Sequence, residues 1–229
     1  MNTGVAPVVT VVVMVGVRAW MRVGPGWAHL VSGPAAAVVL LLVGRVSGLS
    51  WGELGLGGGD SPGKGAWMAG VGVGLVVVAY GIGVLIPVTR RFFLDERYRL
   101  PAGTALYTAF VAVPLATVVF EEVAFRGVLW GLVAHDWNAL WATGVSSVLF
   151  GLWHAVPNRH PGVGDRLLTV LGTVAFTALA GVVLAGLRYF GGGLLAPFVL
   201  HWAGNGLGVL ASAAAWAISR KCAAKCGSG

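Results

Sequence analysis

The sequence predicts an all-α fold: a polytopic transmembrane bundle of about seven helices (seven to eight). Three observations carry this reading. Of 229 residues, 57% are hydrophobic and 10% are charged, less than half the roughly 25% charged residues of a soluble domain. The mean hydropathy is +0.86. Apolar runs of about 20 residues, the length that crosses a bilayer, recur along the chain. A water-soluble globular domain, a disordered chain, a disulfide scaffold and a nucleic-acid binder are all disfavoured. The net charge of +7 does not argue for nucleic acid, because most Lys and Arg fall in short gaps between apolar runs, where they set membrane orientation.

The runs lie near Val5–Trp20, Ala28–Leu49, Ala66–Val88, Ala102–Val133, Ala139–Val156, Leu167–Leu187 and Gly193–Ile218. The first lacks a basic segment ahead of it and is followed by Arg18 and Arg22, so it reads as a retained anchor with its N-terminus outside. The segment Ser50–Gly65 is a Gly-rich polar loop. The third run precedes Arg90, Arg91, Arg97 and Arg99. The fourth is longer than one simple span needs and holds Pro114, where it kinks or splits into two helices and raises the count to eight. The fifth is followed by Arg159 and Arg166, and the seventh by Arg220, Lys221 and Lys225. Seven spans put all these basic clusters on one side and leave Lys64 and Arg188 in the loops of the other, so seven is preferred, with the C-terminus in the cytoplasm.

Smaller features agree. Trp20, Trp27, Trp51, Trp67, Trp137 and Trp216 lie near predicted helix ends, where an amphipathic ring sits among headgroups. Among 37 glycines, Gly70-x-x-x-Gly74 and Gly204-x-x-x-Gly208 read as helix-packing pairs. Cys222 and Cys226 lack metal-site spacing and partners, and Cys226-Gly-Ser-Gly is not a prenylation box. The chain divides into N-terminal helices and loops (1–101), a core carrying the polar intramembrane residues (102–218) and a cytoplasmic tail (219–229).

Ionisable residues inside a span cost about 2.5–3.5 kcal/mol each on insertion scales, so a functional site is their default reading. Glu121, Glu122, Arg126, His154 and His201 sit inside apolar runs, with Asn205 beside them. Glu122 and Arg126 are at i, i+4 in the favourable order for an ion pair. Glu121 points about 100° away from Glu122 on a helix and is free to face a cavity. Phe150 and His154 share a face at i, i+4, as do His201 and Asn205. Counted from the short link His135–Asn138, Glu121 and His154 lie at similar depths, about 21–25 Å along antiparallel helices. Asn205 lies about 18–21 Å along its own helix. A carboxylate and an imidazole can deprotonate a water for attack on a carbonyl. The second imidazole and the amide can hold an oxyanion. Glu121, His154 and His201 could instead bind Zn²⁺, and the residues alone leave both open.

The motifs Glu-Glu-x-x-x-Arg (Glu121, Glu122, Arg126), Phe-x-x-x-His (Phe150, His154) and His-x-x-x-Asn (His201, Asn205), in this order on hydrophobic helices, resemble the CAAX protease and bacteriocin-processing family of intramembrane endopeptidases, also called the type II CAAX prenyl endopeptidase or Abi family. The resemblance covers roughly Ala102–Ala211. It implies an all-helical membrane protease with its site open to the cytoplasm. Glu121 and His154 would activate the water, His201 and Asn205 would stabilise the oxyanion, and Glu122 and Arg126 would support the site. It favours no cofactor, with Zn²⁺ the possible one. The expected partners are membrane lipid and a membrane-associated peptide or protein substrate, lipidated or not; nucleic acid is not among them. High Ala, Val, Gly and Arg content points to a bacterial cytoplasmic membrane. A non-catalytic scaffold or immunity protein of the same fold, and a small proton-coupled transporter relaying through Glu121 and His154, are the rival expectations.

Overall fold

A computed structural model describes residues 5–25, 28–57, 62–155 and 166–226. Trp27, Asp60 and Arg159 lie outside them, as do the side chains of Arg22, Arg166, Lys221, Lys225 and both cysteines. Helices and turns make up the described chain, with no strand among them. Seven long helices follow the seven apolar runs: α1 (Val5–Val23), α2 (His29–Val46), α3 (Pro62–Leu85), α4 (Ala102–Asp136), α5 (Ala139–Trp153), α6 (Arg166–Phe190) and α7 (Leu195–Arg220, with helix continuing to Cys226).

Five of these, α2, α3, α4, α6 and α7, are long and apolar enough to cross a membrane. The other two are shorter apolar helices (Val5–Met21 within α1, and α5). At 1.5 Å per residue, α5 is about 22 Å long, less than the ~30 Å hydrocarbon core. The lipid-facing surface is large and apolar, with Leu75, Val78, Leu168, Phe176 and Leu179 among its exposed residues.

The fourth run neither splits nor breaks at Pro114. Its 35 residues form one continuous helix, in which α-helical turns alternate with π-helical stretches at Thr108–Ala112, Pro114–Val118 and Val123–Leu129. A fourth π stretch, Ala203–Leu207, interrupts α7. Wider i→i+5 turns absorb the proline, whose missing N–H and ring would disrupt a regular α-helix. Two of these stretches receive a side-chain donor from a neighbouring helix. The Trp202 indole N–H donates to the Ala109 carbonyl at 2.8 Å, and the Tyr80 hydroxyl donates to the Gly204 carbonyl at 2.7 Å.

Only Trp137 and Asn138 separate α4 from α5. The Asn138 side chain caps α5 by accepting from the Leu140 and Trp141 amides at 3.0 and 3.1 Å, which satisfies N–H groups left free at the helix start. Of the two glycine pairs read as packing motifs, Gly70 and Gly74 are corrected. A Cβ at either meets nothing within 4 Å, and the same holds for Gly204. Close approach occurs elsewhere: a Cβ at Gly151 of α5 would lie 2.7 Å from the Val174 carbonyl oxygen of α6.

The polar loop after α2 is also not simply a surface loop. Leu49 and Leu54 are fully buried, and Leu54 packs near Gly44 of α2 and Val128 of α4. Arg188 of α6 donates to the Gly52 and Glu53 carbonyls at 3.1 and 2.8 Å, and the Leu194 amide donates to the Gly55 carbonyl at 2.9 Å. Gly55 has φ +80°, and a Cβ there would strike the Arg188 Nε at 2.7 Å, so glycine is required twice over. One end of the bundle is therefore closed by residues 47–57, 137–138 and 191–194. Arg45, which the count of loop charges leaves out, stands at this end over Trp51. The opposite, basic end carries Arg18 and the segment 86–101, which the Trp216 indole ties to α7 by donating to the Asp95 carbonyl at 3.1 Å.

Glu53 offers a test of the closed end. It accepts from the Ser50 amide and hydroxyl, both at 2.7 Å, and lies 2.7 Å from the His135 Nδ1. The Ser50 backbone N–H, with His135 and the Ser50 hydroxyl, holds the Glu53 carboxyl at about 2, down from 4.5. A depressed carboxyl stabilises the folded turn above its unfolded value and ceases to do so as pH falls through the folded one. Amide exchange over residues 50–56, corrected for intrinsic rates, should stay protected above pH 4.5 and lose protection as pH falls toward 2. Loss already between pH 6 and 5 would contradict this assignment.

Candidate active site

The tight α4–α5 hairpin brings two distant residues level. Glu121 lies fifteen positions before Asp136, and His154 fifteen positions after Ala139, about 22 Å in each case. Glu121 and Glu122 sit on a single α-helical stretch, Val119–Glu122, between two π stretches of α4. His154 is the C-terminal cap of α5. His201 lies on α7, immediately ahead of the π stretch that holds Asn205.

Glu122 and Arg126 form the expected ion pair, 3.0 Å between Oε1 and Nη1, with each side chain 1% exposed. Glu122 Oε1 also lies 2.7 Å from the His201 Nδ1. A carboxylate beside a guanidinium is an acceptor, so the His201 Nδ1 carries the proton and donates it. Arg126 stacks on the Phe150 ring, 4.0 Å from guanidinium carbon to ring centroid. Phe150 also meets His154 and His201 edge-on, at centroid separations of 4.7 and 5.7 Å. The phenylalanine of the second motif is therefore the shared packing surface of both imidazoles and the arginine.

Glu121 is 5% exposed and shares His201 with Glu122, but its hydrogen bond goes elsewhere. Its Oε1 accepts from the Trp153 indole N–H at 2.9 Å. Its Oε2 is buried and has no hydrogen-bond partner among the described residues. The His154 Nε2 lies 4.0 Å and the His201 Nε2 3.7 Å from that oxygen. The His154 Nδ1 lies 2.8 Å from the Phe150 carbonyl oxygen. A carbonyl cannot donate, so this Nδ1 carries the proton and the neutral ring presents a lone pair at Nε2. One water 2.8 Å from both Glu121 Oε2 and His154 Nε2 would subtend about 90° between them, within the range a water spans when it donates to two acceptors. His154 remains 30% exposed, so this corner of the site opens outward.

Asn205 is exposed on the π stretch and has no hydrogen-bond partner among the described residues. The structure thus gathers Glu121, Glu122, Arg126, Phe150, His154 and His201 by direct contact, and it places Asn205 one turn beyond His201 without joining it to them. Trp153 is the site residue that sequence reasoning passed over. Its position beside His154 was visible, but no local spacing ties its indole to Glu121, 32 positions away.

Glu121, His154 and His201 form the donor set that a metal would use. Tetrahedral Zn²⁺ with bonds of about 2.1 Å needs donor atoms about 3.4 Å apart. Here the separations from Glu121 are 3.7 and 4.0 Å, and no three His, Cys, Asp or Glu side chains among the described residues are grouped to hold a metal ion.

Residues 103–207, just under half of the chain, match the family of type II CAAX prenyl endopeptidases, Rce1-like. The match spans all three motifs and bears out the resemblance drawn from them. The chain is also 30% identical over 106 residues to the A/B component of a probable K(+)/H(+) antiporter from Rhizobium meliloti (strain 1021). That stretch is 46% of this chain and 10% of the relative, so the chain spans about a tenth of it. No solved structure matches.

Proposed function

We propose that this chain is an intramembrane endopeptidase that hydrolyses peptide bonds of membrane-associated peptides or proteins with a water activated by Glu121 and His154, without metal. One observation carries the reading: a buried carboxylate oxygen with no hydrogen-bond partner among the described residues faces two imidazole nitrogens, while the other oxygen of the same carboxylate is fixed by an indole. The water donates one O–H to Glu121 Oε2 and the other to the His154 Nε2, leaving its lone pair toward the substrate carbonyl carbon. As the C–O bond forms, one water proton passes to Glu121. As the C–N bond breaks, that proton goes to the leaving amine. His201 and Asn205 hold the oxyanion in this reading. His201 already gives its Nδ1 proton to Glu122, so a donor at its Nε2 requires the imidazolium, with Glu121 and Glu122 as its counter-charges. Asn205 reaches the oxyanion only when substrate draws its exposed amide inward. The chain is oriented with its N-terminus outside and its C-terminus in the cytoplasm, in a bacterial cytoplasmic membrane, and the exposed edge of His154 faces the basic, cytoplasmic end.

The test is cleavage of a library of membrane-bound peptides, lipidated and unlipidated, by purified protein in bicelles. Cleavage that persists at full rate after chelator treatment is expected. Loss on chelation with recovery on Zn²⁺ addition would replace the metal-free mechanism with a metal-bound water. The similarity to an antiporter component supports one second reading, a proton relay through Glu121 and His154. In that case, cation-driven proton flux in proteoliposomes would depend on Glu121 and no peptide in the library would be cut. A non-catalytic scaffold predicts neither, and its phenotype would survive Glu121→Ala.

A further inference from the structure

We propose that Trp153 is a positioning residue for this reaction: its indole N–H selects which oxygen of Glu121 faces the water. The inference rests on Glu121 being the base. A carboxylate has two equivalent oxygens, and a free one turns about its last bond. Here the two are made unequal. Oε1 is engaged by the indole N–H at 2.9 Å, and Oε2 is left bare at 3.7 and 4.0 Å from the imidazoles. A donor that engages only one oxygen holds the other on a fixed bearing. Acid-base chemistry is sensitive to that bearing, since a misplacement of about 1 Å can cost about a hundredfold in rate.

The indole is itself held on its other sides. Phe120 lies tilted against it at a centroid separation of 5.8 Å, Phe125 edge-on at 6.0 Å, and the Arg18 guanidinium 4.6 Å above the ring. Phe120 and Phe125 belong to the same helix as the base. Arg18 belongs to α1, outside residues 103–207. The same ring walls a cavity of about 330 Å³ between α1 and α5 that Met14, Val15, Leu149 and Leu152 also line. Packing on the first helix is thereby transmitted through one rigid ring to the oxygen that takes the proton, which gives α1 a part in the chemistry although it contributes no reacting group.

The experiment separates the N–H from the ring. The analogue 3-benzothienylalanine, installed at position 153 alone, keeps the bicyclic shape and puts sulfur in place of the N–H. The analogue 7-azatryptophan keeps the N–H. Trp153→Phe removes the N–H with part of the ring. Each is assayed with the best-cleaved peptide of the membrane-bound library, reading kcat and KM separately, with the unfolding midpoint recorded beside them. The expected result is a kcat lowered about 10- to 100-fold in the benzothienyl and Phe variants at nearly unchanged KM, and a kcat close to that of the parent with 7-azatryptophan. Equal kcat for the two analogues overturns the inference, whether both are active or both are dead, because the hydrogen bond then decides nothing. A raised KM with kcat intact overturns it too, since the ring would then serve binding. Glu121→Gln is run alongside: if it retains full activity, the reading of Glu121 as the base has failed. If it is inactive while the benzothienyl variant is fully active, only the role given to Trp153 has failed.

Discussion

Glu121→Gln is expected to lower kcat by about a hundredfold to ten-thousandfold, the span that general-base catalysis supplies, while leaving the fold intact. The amide keeps the size of the acid, and its oxygen can still accept from the Trp153 indole. Its NH2 then occupies the place of Oε2, between the His154 and His201 Nε2 atoms. That group donates where the carboxylate accepted, so it cannot take a proton from water. Removing a buried carboxylate oxygen that has no hydrogen-bond partner among the described residues also carries little stability cost, and the unfolding midpoint should stay within a few degrees of the parent. The measurement is kcat on a cleaved membrane-bound peptide, with thermal unfolding as the control. Retention of more than about a tenth of the parent kcat would place the base elsewhere.

Arg126→Met should give the largest loss of stability. Arg126 and Glu122 are each 1% exposed and 3.0 Å apart, and Glu122 also receives the His201 Nδ1 proton. Removing the guanidinium leaves a carboxylate in the bundle interior with an imidazole alone to answer its charge. Breaking a buried pair from one side costs about 3–5 kcal/mol, whereas replacing both members with uncharged groups of similar volume is often near neutral. Against a total stability of about 5–15 kcal/mol, the single variant should unfold far more readily. The double variant Glu122→Gln with Arg126→Met should recover most of the loss. Unfolding in bicelles by heat or denaturant reads both. A single variant that loses less than about 1 kcal/mol would show that water reaches this pair, contrary to its burial.

The helices were legible because hydropathy in a membrane chain is nearly a direct record of span. Every long helix starts or ends within a few residues of its apolar run. The i, i+4 spacings of Glu122 with Arg126 and Phe150 with His154 survive as contacts. The equal count of residues on either side of the α4–α5 turn places Glu121 beside His154, as that arithmetic implied. Other features depend on tertiary facts that no local pattern carries. Two of the four π stretches receive donors from neighbouring helices, such as Tyr80 to Gly204, across 124 positions of sequence. The burial of Leu49 and Leu54 reverses a loop that composition marks as polar, because Arg188 from another helix satisfies its carbonyls. Gly70 and Gly74 have the spacing of a packing motif but face open space, so spacing alone does not specify a partner. Asn205 shares a face with His201 by α-helical counting, yet it lies in a wider turn that leaves it exposed.

The buried leucines at the closed end bear on how such a protein can live in an energised membrane. Leu49 and Leu54 sit against Val128 and Leu129, all at most 1% exposed, on the side of Glu121 away from the open edge of His154. In the proposed reaction this apolar layer leaves the 30% exposed edge of His154 as the route by which water would reach the acid. A proton taken up by Glu121 in that reaction would then return to the compartment it came from, so a hydrated site within the bilayer would not short-circuit an ion gradient across it.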